Sequence, residues 1–329
     1  MQEAILNQLA ERHRISTPFV KEILTAKNLL SFASESQDAD DFSVKIGDQW
    51  KYTSYALSTN LRAENSLGRM LSLEVPSHRG KALDVGCGYG GFLSAFGKQG
   101  FEAHGIEIDP HLAKLARMNL TDASFVHQIF EGDLFGEGPR LGTYDLITMN
   151  DVLEHLPDPI FAFNHLAKML NPGGMLAIYM PNGLSIFNVT ADPHNRVCGA
   201  SAMPYNLASS WVRTVTRSNG YGLGEYISLE SLQDLSQRNG LAFKYKPHDG
   251  GERPENARVY LKNLVDVFSS ANLFQQKDQI LAREAESAIW SYISKYSEGA
   301  VSGAFGKNYC HFNDTYLSRA WTITCKKPG

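Results

Sequence analysis

The stretch Ala82-Leu83-Asp84-Val85-Gly86-Cys87-Gly88-Tyr89-Gly90-Gly91-Phe92 decides how the rest of the chain is read. An apolar run ends in a glycine-rich turn, and a helical pattern follows with Phe92, Leu93 and Phe96 on one side. Glycines in such a turn let the backbone bend tightly and let a ligand approach the helix N-terminus closely. A second apolar run leads to Gly105-Ile106-Glu107-Ile108-Asp109-Pro110. An acid at the end of that run can accept hydrogen bonds from both hydroxyls of a ribose. Strand, glycine turn, helix, strand and acid make a nucleoside-binding half-site.

Two ligands fit the glycines. Gly86, Gly88 and Gly91 satisfy GxGxxG, the dinucleotide fingerprint, while Gly86, Gly88 and Gly90 satisfy GxGxG. A nicotinamide dehydrogenase and a methyltransferase are both allowed on that ground. Asp84 separates them. A carboxylate two residues before the first glycine repels a pyrophosphate across a partly desolvated gap. It favours S-adenosylmethionine, which carries an ammonium and a sulfonium and no phosphate.

Outward from this turn, short apolar runs alternate with helical patterns from Lys81 to about Lys246, the signature of a parallel sheet with helices on both faces. Strands are expected at Ala82–Val85, Glu102–Ile106, Ser124–Gln128, Tyr144–Met149, Gly174–Met180 and Ala242–Lys246, with a last one at Ala320–Cys325. Before that last strand, Leu261, Leu264, Val265 and Phe268, then Leu281, Ala285, Ala288, Ile289, Tyr292, Ile293 and Tyr296, recur at helical spacing and predict a helical insertion with an apolar packing face. Upstream, Leu6, Leu9 and Ala10 share one helical face, and Ser16-Thr17-Pro18 caps a second helix. These two helices read as a cap or as a homodimer surface. The acidic stretch Ser34–Asp48 reads as a linker, and a helix through Leu61, Leu67 and Leu71 leads to Pro76.

Composition sets the outer bounds. The chain has 329 residues, 43% hydrophobic and 20% charged, enough for a sizeable core. Its 31 basic and 35 acidic residues give a net charge of −4, which argues against a nucleic-acid partner. Cys87, Cys198, Cys310 and Cys325 have neither disulfide-framework nor metal-ligand spacing. With no signal-peptide core and no membrane-length apolar run, a cytoplasmic location is expected.

LDVGCGYGGF, GIEIDP, EGDLF, YDLITMNDVLEHLPDP and LNPGGMLAIYMPN, in this order, resemble the class I S-adenosylmethionine-dependent methyltransferases. The likeness is greatest to the branch with ubiquinone-biosynthesis, natural-product and glycan methyltransferases. It is strong from about Lys81 to Asn182 and fades toward Lys246. The resemblance implies a Rossmann-like, mostly parallel seven-stranded sheet with an antiparallel last strand. It assigns Asp84, Gly86, Gly88 and Gly90 to the methionine part of the cofactor, with Cys87 and Tyr89 supplying turn backbone. Glu107 matches the ribose acid and Ile108 lies beside the adenine. Asp133, followed by Leu134, matches the acid facing the adenine amino group, unless it merely closes a turn. Asn150 and Asp151 match the residues lining the methionine end. Asp109-Pro110 and Asp158-Pro159 read as helix caps, and Glu154 as helix or turn surface that could orient His155.

Methyl transfer from a sulfonium is an in-line displacement, so alignment is the main demand. A general base helps with a hydroxyl or protonated amine, and histidine titrates near neutrality. His155, after the fourth strand, and His194, in Thr190-Ala-Asp-Pro-His194-Asn195, are the candidate catalytic residues. No metal is expected. The aromatic, glycine-punctuated segment Asn182–Tyr226 reads as acceptor-binding and lid material. Two further segments, from Trp50 to Tyr55 and from Phe305 to Phe312, combine aromatic and polar groups, with surface packing as their plain explanation. The expected organisation is a helical extension and linker over 1–75, a cofactor-binding core over 76–250, a helical insertion or substrate cap over 251–318, and the final core strand over 319–329. The expected reaction moves a methyl group from S-adenosylmethionine, leaving S-adenosylhomocysteine, to a small-molecule or glycan acceptor, with oxygen favoured over nitrogen or carbon. A nicotinamide-dependent oxidoreductase and a non-catalytic cofactor-binding scaffold are the alternatives.

Overall fold

The computed structural model describes residues 2–218, 221–224, 226–248, 254–270, 278–304 and 308–329. Seven strands form one mixed sheet: β1 (Lys81–Val85), β2 (Glu102–Glu107), β3 (His127–Glu131), β4 (Tyr144–Asn150), β5 (Leu170–Pro181), β6 (Ala242–His248) and β7 (Ala320–Lys326). Their order is β3-β2-β1-β4-β5-β7-β6. β1 pairs in parallel with β2 and β4, and β2 with β3. β7 is antiparallel to β5: the Asn182 N–H donates to the Arg319 carbonyl at 2.9 Å, and at the other end the Lys327 N–H donates to the Gly174 carbonyl at 2.8 Å. The chain runs outward from β1 through β2 to β3, then returns to β4 on the other flank of β1. That reversal is where open α/β sheets form a ligand crevice at the carboxyl ends of their strands.

The fold divides into two compact units, one of Met1–Met149, Leu166–Ala177 and Thr324–Gly329, the other of Asn150–His165 and Ile178–Ile323. In the first, helices Gln2–His13 and Thr17–Ala26 form where the apolar spacing places them, and Ser16 caps the second by accepting the Phe19 N–H at 3.2 Å. Leu9, Phe19, Leu24, Phe42 and Leu57 are fully buried in their shared core. The expected linker at Ser34–Asp48 is instead the end of one helix, Leu30–Glu35, and all of another, Ala39–Ile46. Asp38 caps that second helix through the N–H groups of Asp40 and Asp41, while Ala39, Phe42 and Ile46 turn inward. The acids lie on the outer face, so local acidity concealed an amphipathic turn. Trp50, in helix Gln49–Leu57, packs against His13 and Phe42, and Tyr52 and Tyr55 are exposed. β3 starts three residues later than expected because its pairing with β2 sets Ala103 opposite His127. It is a half-exposed edge with little apolar signal.

In the second unit, Trp211, Ile289, Tyr292 and Tyr296 are buried in one cluster. The apolar stripe of helix Gln279–Ala304 is a packing face, as its spacing implies. Leu264 of helix Pro254–Ser270 joins the same cluster, while the side chain of Phe268 lies outside the described residues. Segment Asn182–Tyr226 contains helices Ile186–Thr190 and Tyr205–Thr216 and a 3-10 turn at Ala200–Ala202. Of the segment Phe305–Phe312, residues 305–307 lie outside the described residues. Among the described residues no helix is long and apolar enough to cross a membrane.

Two glycines test the packing in opposite directions. A Cβ on Gly105 would lie 2.7 Å from Cys87 Sγ and 2.9 Å from Leu93 Cδ1. Gly105→Ala is therefore expected to cost about 1–3 kcal/mol in urea unfolding. Gly68, in helix Thr59–Leu73, has nothing within 4 Å of that position. Gly68→Ala is expected to stabilise by about 0.5–1 kcal/mol. Equal effects of the two substitutions would contradict this packing.

Candidate functional site

β1 ends in the glycine turn. Gly86, Gly88 and Gly90 all have positive φ, at 68°, 51° and 76°. At Gly90 a side chain would also crowd Ala116, at 3.2 Å, whereas nothing lies within 4 Å of a Cβ on Gly88. Gly88 thus leaves backbone open for close approach, which is glycine's use in nucleoside sites. Glu107, at the end of β2, is 6% exposed and braces this turn. One carboxylate oxygen accepts the Gly88 N–H at 2.8 Å, and the other accepts the Asp109 N–H at 3.0 Å. Cys87 is buried and its thiol is pushed far up by burial and by Asp84, which removes thiolate chemistry.

Asp84 sits in register with Thr148 of β4, and the Thr148 hydroxyl donates to its carboxylate at 2.6 Å. The side chain is 3% exposed. Burial pushes its carboxyl up to about 8, the Thr148 hydrogen bond opposes this, and Glu107 adds repulsion. No cation figures among these influences. Ile108, next to Glu107 in the chain, is 70% exposed and offers an apolar surface. Asp109 caps helix Pro110–Asn119 through the His111 N–H. Asp133 caps helix Leu134–Leu141 through the Phe135 N–H at 3.1 Å, and Leu134 is buried.

In the second unit, Asn150 ends β4 and its amide donates to Asp151 at 2.9 Å. Asp151 has φ 56°, a left-handed conformation at a non-glycine residue, of the kind that recurs at functional turns. The next turn, Leu153–His155, carries a carboxylate that sequence reasoning misplaced. Glu154 is 1% exposed, not turn surface, and among the described residues neither carboxylate oxygen has a hydrogen-bond partner. Burial lifts its carboxyl to about 8, its own backbone N–H opposing this and Asp151 adding repulsion. The backbone here is stitched to a later segment. The Gly224 N–H donates to the Glu154 carbonyl, and a Cβ on Gly224 would lie 2.5 Å from the Leu156 carbonyl oxygen.

His155 and His194 come together, with ring centroids 4.9 Å apart and nearly perpendicular. His155 Nδ1 lies 3.2 Å from the Gly222 carbonyl. A carbonyl only accepts, so Nδ1 is the donor in this contact. His194 Nδ1 is 3.3 Å from the Tyr226 hydroxyl. Burial and the neighbouring His155 hold His194 below the usual imidazole range, against a smaller opposing effect of Asp192. Asp192 organises the loop: one oxygen accepts the N–H groups of His194 and Asn195 at 2.9 and 2.8 Å, the other the Tyr221 hydroxyl at 2.6 Å. Glu154, His155 and His194 each offer a ligand atom, and these atoms lie within 4.8 Å of one another. Mixed imidazole and carboxylate donors suit a divalent transition metal. Tyr226 also lines a pocket of about 260 Å³ with Leu184, Ser201, Met203, Ile227 and Trp321. Sequence reasoning missed Asp192, Tyr221 and Tyr226 as one network; the aromatic density of Asn182–Tyr226 was the only signal for it.

A methyltransferase-domain family model matches residues 55–244. The chain is 37% identical over 100 residues to a ubiquinone biosynthesis O-methyltransferase of Xanthomonas campestris, a match covering 29% of this chain and 41% of that protein. It is 35% identical over 112 residues to the enzyme of the same name from Xylella fastidiosa, covering 33% and 44%. The chain thus spans less than half the length of these relatives. Among solved structures, a cyclopropane synthase from Mycobacterium tuberculosis is similar at TM-score 0.46 and 15% identity, covering 81% of this chain and 83% of that one. An S-adenosylmethionine-dependent methyltransferase from Archaeoglobus fulgidus is similar at TM-score 0.45 and 16% identity, covering 82% and 94%.

The raised carboxyl of Asp84 sets a pH dependence. Between the ordinary carboxylate range and about pH 8 the folded chain holds a proton at Asp84 that the unfolded chain has lost. This group therefore takes stability away as pH rises through that window, with no further loss above it. Asp84→Asn keeps an acceptor for Thr148 and removes the ionisation. The variant is expected to gain stability over the parent between pH 5 and pH 8 in urea unfolding. Parallel pH profiles would contradict the assignment.

Proposed function

The chain belongs to the class I S-adenosylmethionine-dependent methyltransferase family, and from that premise we propose that it moves the sulfonium methyl group to a hydroxyl oxygen of a small, largely apolar acceptor. Family membership closes the nicotinamide alternative. The observation that carries the cofactor assignment is Asp84, a buried carboxyl at the glycine turn with no cation among the groups that act on it. An ammonium or sulfonium supplies that missing charge. Glu107, already oriented by two backbone donors, holds the ribose hydroxyls. Gly86, Cys87, Gly88, Tyr89 and Gly90 give the backbone cradle, Ile108 an apolar face for the adenine, and Asp133 with Leu134 its amino edge. Asn150 and Asp151 take the methionine end.

The acceptor reading rests on the second unit. The 260 Å³ pocket is lined mostly by apolar groups, and the Ser201 hydroxyl in its wall is buried without a partner. An acceptor with one polar group satisfies that hydroxyl. Tyr226 belongs both to this wall and to the His194 contact. His194, held below the usual imidazole range by partial desolvation and by His155, takes the acceptor proton as the oxygen attacks the methyl carbon. The carbon–sulfur electron pair returns to sulfur, leaving S-adenosylhomocysteine. His155, with Nδ1 donating to the Gly222 carbonyl, stands beside it as the second imidazole.

The unpartnered Glu154 oxygens favour a second reading of the same cluster. Glu154, His155 and His194 would hold a divalent cation there, and such an ion supplies Lewis acidity that eases loss of an acceptor proton. Chelator treatment separates the two readings. Turnover unchanged by EDTA supports the imidazole base; turnover lost to EDTA and restored by Mn²⁺ or Zn²⁺ supports the cation.

Calorimetric titration with S-adenosylmethionine, S-adenosylhomocysteine and NADH tests the cofactor. Saturable binding is expected for the first two only, and loss of their affinity in Asp84→Ala and Glu107→Ala. Binding of NADH alone would overturn the proposal. His194→Ala is expected to lower kcat by about 10²–10⁴-fold with S-adenosylhomocysteine affinity unchanged.

A further inference from the structure

We infer that Asn60 and Asn119 are positioning residues, a buried amide pair through which the N-terminal helices hold the glycine turn in its cofactor-binding form. The inference deepens the cofactor assignment and rests on it. Every contact it uses lies within the first unit. The two helices that carry the pair close on the turn from either side. A Cβ on Gly91 would lie 2.7 Å from the Thr59 carbonyl oxygen, at the start of helix Thr59–Leu73. A Cβ on Gly90 would lie 3.2 Å from Ala116 Cβ in helix Pro110–Asn119. Glycine at both positions is what lets the helices approach. Asn60 comes from the first helix and Asn119 from the second, and both side chains are buried.

The amides form a chain of hydrogen bonds. The Asn119 amide donates to Asn60 Oδ1 at 2.8 Å and to the Tyr89 carbonyl, inside the turn, at 2.8 Å. The Asn60 amide donates to the Arg14 carbonyl at 2.6 Å and, over a longer 3.4 Å, back to Asn119 Oδ1. Carbonyl oxygens accept and never donate, so Arg14 and Tyr89 each demand an N–H, and neither amide can be turned over. Buried polar groups bonded at every step rigidify one another. Within the turn, the Gly90 N–H donates to the Cys87 carbonyl at 2.8 Å and the Gly88 N–H to Glu107. The Tyr89 carbonyl is held from outside, by Asn119. That contact sets the peptide between Tyr89 and Gly90, where Gly88 and Gly90 both have positive φ. Glycines have many conformations to lose, so a turn already pinned binds at a smaller ordering cost.

The far end of the chain of bonds is anchored in the N-terminal helices. Arg14 lies between helix Gln2–His13 and helix Thr17–Ala26 at φ 55°, and its guanidinium reaches Glu64 of helix Thr59–Leu73 at 3.1 Å. Ser16, the cap of the second helix, donates its hydroxyl to the Met118 carbonyl, one residue before Asn119. Phe19 of that helix meets the Tyr89 ring edge-on, with centroids 5.7 Å apart. Hydrogen bonds and ring packing thus join these helices to the cofactor turn.

Titration calorimetry with S-adenosylhomocysteine and amide hydrogen exchange, both on the full chain, test the inference. Asn60→Ala and Asn119→Ala are each expected to weaken binding by about tenfold, and the double variant no more than either, because the two residues act in series. Exchange at the Gly88 and Gly90 amides is expected to rise in Asn60→Ala, since Asn60 acts on the turn through Asn119. Asn171→Ala is the control. It removes another amide contact, to Asp145 Oδ1 at 3.0 Å, where β4 and β5 begin, and is expected to leave both readouts unchanged. Asn60→Ser and Asn119→Ser, polar but too short to span the contacts, carry the same expectation if the alanine variants do not fold. Unchanged affinity or unchanged exchange in the Asn60 variants, or equal weakening in Asn171→Ala, overturns the inference. A parent chain that binds no S-adenosylhomocysteine overturns the cofactor assignment instead, and the exchange data then decide the linkage.

Discussion

A carboxyl group with almost no access to water stands at the end of β1, and the proposed cofactor brings positive charge to it. Asp84 is held by one hydroxyl, that of Thr148, its register neighbour on β4, and it shares its surroundings with a second buried acid, Glu107. Two acids this close resist ionising together. Among the described residues no cation acts on it in compensation. The glycine turn and the bracing of Glu107 by the Gly88 N–H gain their sense from this arrangement.

The second unit repeats the logic with different groups. Glu154 is buried without a partner among the described residues, and His155 and His194 converge beside it. Asp192 does the structural work, taking three donors and so setting both the His194 backbone and Tyr221. Backbone contacts fix this turn, the Gly222 carbonyl meeting His155 Nδ1 and the Gly224 N–H donating to the Glu154 carbonyl. That is the condition for aligning an acceptor within a fraction of an ångström.

Much of the first unit was legible in the chain. The glycine spacing, the strand-end acid and the capping pairs Ser16-Thr17-Pro18 and Asp109-Pro110 are local signals, and the structure places each where local physics put it. The errors share one cause. Ser34–Asp48 looked like a linker because its acids were counted before its Ala39, Phe42 and Ile46 spacing. Edge strand β3 was misplaced because its register comes from β2, not from its own residues. Glu154 looked exposed because its burial depends on a segment about seventy residues downstream, which no local pattern reveals. The meeting of His155, His194 and Tyr226 is equally non-local. The sequence nominated both histidines but held no signal that they touch.

The most direct test of the account counts protons. Binding of S-adenosylmethionine is measured by calorimetry at pH 6.5 in two buffers of different ionisation enthalpy. Asp84 is protonated in the free chain at that pH, with its carboxyl near 8. The cation forces it to ionise, so about one proton is expected to leave per molecule bound, and none in Asp84→Asn. An enthalpy independent of buffer, or a proton release that survives in Asp84→Asn, would contradict the central place given to this carboxyl.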